Sequence, residues 1–165
     1  MKKLFLVAVI AAFGFNANAQ EFKAGINAGL PIGDAGDSYT FSVVLDVNYL
    51  WNVSEKFDAG IATGYSHSFG DSIDLGLLGS VDVDDAGFLP IAGAARFSVS
   101  DKFSVGADLG YAIGLSPDGN DGGFYYAPRL QYGVSDSIDI VAAYRGVSLD
   151  GGTFDIISLG IEFGL

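Results

Sequence analysis

From residue 21 onward, apolar residues alternate with small or polar ones in eight runs. A period of two sends successive side chains to opposite faces, so each run reads as a β-strand. The first, Glu21 to Leu30, puts Phe22, Ala24, Ile26, Ala28 and Leu30 on one face. The second, Thr40 to Trp51, does the same with Phe41, Val43, Leu45, Val47, Tyr49 and Trp51. Six more follow: Phe57 to Tyr65, Leu89 to Phe97, Phe103 to Ile113, Phe124 to Tyr132, Ile138 to Tyr144 and Ile157 to Leu165. Runs of about ten residues have the length of a tilted strand that crosses a bilayer.

Three short segments repeat one another between these runs: Val53-Ser54-Glu55-Lys56-Phe57, Val99-Ser100-Asp101-Lys102-Phe103 and Val134-Ser135-Asp136-Ser137-Ile138. They read as three copies of one tight turn between antiparallel strands. Longer connections at 31–39, 67–87, 115–123 and 147–152 fall on the other side. The pattern predicts an all-β fold, an eight-stranded antiparallel up-and-down transmembrane β-barrel. In the longest connection, Ile73-Asp74-Leu75-Gly76-Leu77-Leu78 is expected to extend a hairpin above the membrane. Pro90 and Pro128 each remove a ladder hydrogen bond and are expected at bulges or strand ends.

Period two alone also describes a soluble barrel with an apolar core, and the sizes of the two faces separate the cases. The second face carries Gly25, Asn27, Ser42, Asp46, Asn48, Gly60, Ala62, Gly64, Ala94, Ser104, Gly106, Gly110, Gln131, Ser158 and Gly160. A water-facing surface would be rich in Lys and Glu. This set suits the narrow interior of a barrel of about eight strands, so the large apolar face points to lipid. All six basic residues after Lys3, namely Lys23, Lys56, Arg96, Lys102, Arg129 and Arg145, are assigned to the lumen face. Asp155 alone shares the outward parity, at a strand mouth. Aromatics add a third argument. Trp51, Phe57, Phe97, Phe103, Tyr132 and Phe163 cluster beside the short turns or the C-terminus, and Phe41, Tyr65, Tyr111, Tyr126 and Tyr144 at the opposite strand ends. Two membrane interfaces select two such girdles.

Ahead of the strands, Met1-Lys2-Lys3, an apolar run from Leu4 to Phe15 and Asn16-Ala17-Asn18-Ala19 have the form of a secretory signal at residues 1–19. Residues 20–165 then form one outer-membrane barrel domain, and an even strand number puts both termini in the periplasm. The chain has no Cys, so neither disulfides nor thiolate chemistry enter. A net charge of −12 makes nucleic acid an unsuitable partner.

With its turn repeats, its Gly64-Tyr65 and Gly110-Tyr111 pairs and its last strand, the chain resembles the small eight-stranded outer-membrane barrels of the OmpA transmembrane-domain/OmpX-like class. The similarity covers Gln20 to Leu165. It implies outer-membrane lipid and lipopolysaccharide as surroundings and the barrel-assembly machinery as a partner. The final strand resembles the C-terminal signal read by that machinery, with Ile161, Phe163 and Leu165 as its apolar positions and Leu165 in place of the usual terminal Phe. Members of the class include adhesins, structural proteins, small pores and a few enzymes, so the resemblance does not select an activity.

Candidate chemistry is sparse. The lumen charges Asp46, Asp58, Arg96, Asp108, Arg129, Asp139, Arg145 and Glu162 form the main constellation, with Arg96 and Arg129 expected within reach of Asp108, Asp139 and Glu162. Opposite charges in a confined lumen should pair, and they are expected to form a polar plug that holds the barrel closed, with a narrow ion path lined by these groups as the alternative. The Gly and Ala content inside is expected to leave some water-filled space. His67, the only histidine, lies between Ser66 and Ser68. Neighbours on a strand point to opposite faces, so they make poor triad partners. Asp118-Gly119-Asn120-Asp121-Gly122 superficially resembles a calcium loop but lacks the closing acid, with Arg129 where that Glu should be. Weak divalent binding at the acidic loops is one expectation, and a charged, solvated surface the other. The expected function is a non-enzymatic outer-membrane barrel with a structural or surface-interaction role and no cofactor. A narrow passive pore is the alternative, and a lipid-modifying enzyme using His67 stands behind both.

Overall fold

Each of the three Val-Ser repeats does end one strand and start the next. The computed structural model describes residues 20–74 and 80–165. The signal sequence read at residues 1–19, and Leu75-Gly76-Leu77-Leu78, lie outside those residues. Eight strands close into one antiparallel barrel: β1 (Gln20–Ile32), β2 (Tyr39–Ser54), β3 (Phe57–Gly70), β6 (Ala86–Ser98), β7 (Phe103–Ser116), β8 (Gly123–Ser135), β9 (Ile138–Leu149) and β10 (Gly152–Gly164). Between β3 and β6, β4 (Ser72–Asp74) pairs with β5 (Ser80–Asp82) as a two-stranded sheet separate from the barrel, where the longest connection was expected to extend the β3–β6 hairpin. The first and last strands form the seam, from Lys23 opposite Gly164 to Ile32 opposite Asp155, and the Leu165 amide donates to the Phe22 carbonyl at 2.9 Å. A closed sheet leaves no unpaired edge, which lipid would not tolerate.

The strands outrun the alternation that predicted them. β2 starts one residue before Thr40 and continues three past Trp51, and β3 runs on to Gly70. The loops therefore shrink to 33–38, 71–85, 117–122 and 150–151. Backbone ladder bonds persist beyond the apolar pattern because water, unlike lipid, imposes no alternation on a side chain.

The turn repeats take two geometries. At Glu55-Lys56 and Asp136-Ser137 a two-residue turn follows a register shift, with Val53 and Val134 as the extra residues. The middle repeat opens instead into a four-residue loop, where the amides of Val99 and Ser100 both reach the Phe103 carbonyl and Ser100 Oγ accepts from the Phe103 amide. Lys56 and Lys102 sit in these turns and are exposed, so they leave the lumen set to which their parity had assigned them. A turn ends the alternation, and parity carries no meaning past it. The prolines also differ from expectation. Pro90 and Pro128 lie inside β6 and β8, opposite Ala112 and Ala107, with no register shift at either. Each interrupts pairing only with its other neighbour: the β3–β6 ladder lapses between Thr63–Ile91 and Ser66–Phe88, and the β8–β9 ladder between Tyr126–Gly146 and Arg129–Ala143. Thr63 Oγ1 donates to the Pro90 carbonyl at 2.8 Å, which replaces part of what is missing there.

The outer wall is apolar. Ile26, Leu45, Ile61, Ile91, Leu109, Leu130, Ile140 and Leu159 are all exposed, and no Lys or Arg stands among them. Asp155 lies on this wall but is covered: it accepts from Tyr126 Oη at 3.3 Å and Thr153 Oγ1 at 2.7 Å. The inner wall is less uniformly small than the sequence pattern indicates. Toward the loop end it carries Phe88, Tyr125, Val147, Phe154 and Ile156, which pack into one buried cluster with Ala35 from the first loop.

Candidate functional site in the barrel lumen

Three guanidiniums and three carboxylates meet in the middle of the lumen. Asp46 on β2, Arg96 on β6, Asp108 on β7, Arg129 on β8, Arg145 on β9 and Glu162 on β10 all occupy inward positions and are buried. Arg145 makes a bidentate contact. Its Nη1 and Nη2 donate to Asp46 Oδ1 and Oδ2 at 2.9 and 2.6 Å, its Nε to Ser158 Oγ at 2.9 Å, and Nη1 also to Tyr125 Oη at 3.2 Å. A bidentate fork of this kind combines charge with fixed geometry. Asn27 Nδ2 adds a further donor to Asp46 Oδ2 at 2.9 Å.

Glu162 collects three donors: Asn48 Nδ2 at 2.6 Å, Gln131 Nε2 at 2.7 Å and Arg129 Nη2 at 2.8 Å. Asp108 lies between two cations, with Arg96 Nη1 at 2.6 Å and Arg129 Nη1 at 3.5 Å. Asn48 Oδ1 accepts from Arg96 Nη2 at 3.4 Å, which links the Glu162 and Asp108 arms. The Arg96 arm is the looser one. Its Nη1 leans on the carbonyls of Ala95 and Ala107, and the Nε of Arg96 and of Arg129 find no acceptor among the described residues.

Two members of the expected constellation stand apart. Asp139 is not within the Arg96–Arg129 arm; it pairs with Lys23 Nζ at 2.9 Å, because β1 and β9 flank β10 at the turn end. Lys23 also reaches Glu21 at 3.3 Å. Asp58 accepts from Asn52 Nδ2 at 3.0 Å and stands at the turn-end mouth. Sequence reasoning placed Asn27, Asn48, Gln131 and Ser158 on the lumen face without assigning them to the charge network, and did not name Tyr125. All share the inward parity, and that was the signal available.

Beyond Arg145 toward the loops, the apolar cluster of Phe88, Tyr125, Val147, Phe154 and Ile156 surrounds a cavity of about 20 Å³. That is room for about one water. The Gly and Ala content predicts more open space at this level; Phe88, Tyr125, Val147, Phe154 and Ile156 narrow it, at inward positions that the pattern had left to the loops or passed over. A cavity of about 210 Å³ enters from the turn end as far as Arg96 and Gln131. Another of about 320 Å³ opens at the loop end.

His67 faces the outer wall. Its Nδ1 lies 3.2 Å from Tyr65 Oη and its Nε2 lies 3.1 Å from Asp85 Oδ2. Ser66 and Ser68 face inward, and Ser68 Oγ lies 2.6 Å from Ser42 Oγ, so no hydroxyl of the pair meets the imidazole. In the loop at 117–122, Asn120 spends its side chain on Ser116 O and the Gly122 amide. Among the described residues, no three His, Asp or Glu side chains converge as a metal would require.

The aromatic positions read as girdles sit on the outer wall at the two strand ends. At the turn end Phe57 pairs with Phe97, Phe103 with Tyr132, and Trp51 stands 5.0 Å from Tyr49 and edge-on to it. Phe163 is exposed in the last strand beside Ile161, with Leu165 at its end. At the loop end Tyr126 stacks on Tyr144 at 6.1 Å, Phe41 lies over Phe69 at 6.5 Å, and Tyr65 and Tyr111 are exposed. Phe69 and Phe124 belong to the same band and were not foreseen in it.

A closed eight-stranded barrel with an apolar outer wall and charges confined to its lumen and ends is what a bilayer requires. Residues 5–163 match the family described as outer membrane protein beta-barrel domain. The chain belongs to that family. This outer-membrane β-barrel also superimposes on solved members of the architecture. Ail, the attachment invasion locus protein of Yersinia pestis, aligns with a TM-score of 0.59 at 14% identity, over 90% of this chain and 99% of Ail. Ail in a phospholipid bilayer nanodisc gives 0.60 at 16% identity, over 90% and 100% of the two chains. A designed transmembrane β-barrel gives 0.57 at 12% identity, over 92% and 100%. At these identities the likeness is one of fold. No curated protein matches the chain in sequence.

Proposed function

We propose that this outer-membrane barrel is non-enzymatic and does not conduct, and that it serves envelope structure or surface interaction through its loops, with both termini in the periplasm. The observation that carries the reading is the succession of two layers across the lumen. The balanced charge network lies in the middle of the lumen, and the Phe88–Phe154–Ile156 cluster lies between it and the loops. An ion entering from the loop mouth meets the apolar cluster directly beneath its vestibule, and one entering from the turn mouth meets the charge network first and the cluster behind it. Apolar constrictions close pores by excluding water. The runner-up, a narrow passive pore, draws on the unpartnered Nε atoms of Arg96 and Arg129, which leave that arm room to rearrange.

Single-channel recording on the refolded protein in a planar bilayer separates the two, with folding checked first by the mobility shift of an unboiled sample. A silent membrane is expected. Discrete steps that change in Arg129→Ala would establish the pore instead. Orientation has its own test, because the chain has no Cys and a single one can be introduced. On intact cells a membrane-impermeant maleimide is expected to label Asp118→Cys and to leave Asp136→Cys unlabelled. The reverse pattern would invert the topology. Loose divalent bridging between the acidic loops and lipopolysaccharide belongs to the same reading, as do lipid contacts at the aromatic bands and delivery by the barrel-assembly machinery through Ile161, Phe163 and Leu165.

A further inference from the structure

The loop-end cavity has a built floor. Along β2, Phe41, Val43 and Leu45 face outward, and unbroken alternation would send Tyr39 the same way. A register shift between Tyr39 and Phe41 makes Thr40 an extra residue, and the strand re-aims. Tyr39 then stands edge-on to the inward Phe154, 4.9 Å between ring centroids, with Phe88 5.1 Å behind it. Tyr39 and Leu149 are half-buried and form the accessible part of the floor. The wall is also fixed in place: Asn120 braces the 117–122 loop from within, and Tyr111 Oη donates to the Asp121 carbonyl at 3.0 Å.

Above this aromatic and aliphatic floor, the cavity lining carries Asp118, Asp121 and Asp150. Among the described residues, no basic side chain offsets them. Lys23, Lys56 and Lys102 lie at the turn end, and all three arginines are engaged in the lumen. Asp34, Asp37, Asp71, Asp84 and Asp85 in the neighbouring loops add to the same sign. A concave site with one sign of charge at its rim concentrates counter-ions, and an aromatic floor selects among them. The volume of about 320 Å³ is at the low end for small-molecule sites.

We infer that this cup binds a small organic cation with an apolar body, an aryl- or alkylammonium, whose charge meets the Asp118, Asp121 and Asp150 carboxylates while its body rests on Tyr39 and Leu149. The inference rests on the surface-interaction reading above and gives that surface a ligand class. Ail has been solved with the heparin analogue sucrose octasulfate; an acidic cup is suited to the opposite charge.

The test is a titration of the folded barrel, in nanodiscs of zwitterionic lipid, with benzyltrimethylammonium, read from amide chemical shifts in 117–122 and 149–152. Saturable shifts confined to those segments are expected. Binding should weaken about tenfold in Tyr39→Leu, which keeps an apolar floor but removes the ring against which the aryl body packs. The combined Asp118→Asn, Asp121→Asn and Asp150→Asn variant should bind about tenfold more weakly, and added NaCl should erode wild-type binding. Both variants are first shown to fold by unboiled-gel mobility. Absence of saturation overturns the inference, as does wild-type affinity in both folded variants. Equal shifts with tetramethylammonium or Mg²⁺ would reduce the cup to a counter-ion surface, and equal shifts with phenylacetate would remove the role of charge. The outcome is independent of conductance: lost binding in a silent barrel defeats the cup alone, and a conducting barrel that binds defeats the closed lumen alone.

Discussion

Asp46→Ala is expected to destabilise the folded barrel by about 3–5 kcal/mol, the range for stranding one partner of a buried ion pair. Arg145 would keep only the Ser158 and Tyr125 hydroxyls around a guanidinium that now has two charged bonds from Asp46. The looser arm supplies the contrast. In Asp108→Ala, Arg129 retains Glu162 and Arg96 retains the Ala95 and Ala107 carbonyls, so the loss should be smaller. Replacing both members together, Asp46→Leu with Arg145→Leu, should recover most of the stability, because an apolar pair strands no charge. Urea unfolding in lipid vesicles measures all of these, with Trp51, the single tryptophan, reporting from the turn-end interface. Equal losses in the Asp46 and Asp108 variants would show that the bidentate geometry has no special weight. A double variant as unstable as Asp46→Ala would show that packing, and not charge, is at stake.

Gly110→Val should abolish the folded form, whereas Gly93→Val should fold like the parent. Both glycines lie within barrel strands, one on β7 and one on β6, and valine has the higher strand preference at either place. They differ in what lies beside them. A Cβ on Gly110 would run into the Ile91 carbonyl and the Ala92 backbone of the adjoining strand. A Cβ on Gly93 meets nothing nearer than the Leu109 carbonyl at 3.9 Å and points to lipid. Gly64 and Gly160 repeat the Gly110 situation on β3 and β10, where the neighbouring strands also approach too closely for a side chain. Tight closure bends each strand inward, and the bend needs a residue without Cβ. The fraction migrating in the unboiled, folded band measures the effect. Comparable folding of both variants would mean that strand curvature is not what these glycines serve.

What the sequence made legible was whatever a strict period of two encodes. Eight strands, the outward face, the inward charges and the two aromatic bands followed from parity, because lipid penalises every exception along about ten residues. What it concealed lay where the period slips or stops. Thr40 reverses Tyr39 by one position, a displacement that no residue-type pattern announces. Phe88 and Phe154 sit inward at strand ends, beyond the reach of the membrane's selection, and so fell outside both the strands and the loops read from the pattern. Lys56 and Lys102 carried inward parity into turns where parity has no meaning. Pairings among the lumen charges were beyond sequence for a different reason. Asp139 had several cations within a plausible radius, and only the stagger of β1, β9 and β10 gives it Lys23 and not Arg129.

The Asp46–Arg145 pair joins residues 99 positions apart in the chain and spans the seam between the first and last strands. Neither that contact nor Asn48 to Glu162, 114 positions apart, can form while the sheet is open. These bonds form only as the barrel closes, so weakening them is expected to raise the unfolding rate more than it slows the earlier steps of folding. The lumen network is then expected to lengthen the lifetime of the finished barrel, which unfolding rates of Asp46→Ala measure. For a protein in a compartment without ATP-driven refolding, persistence of this kinetic sort matters more than the equilibrium constant.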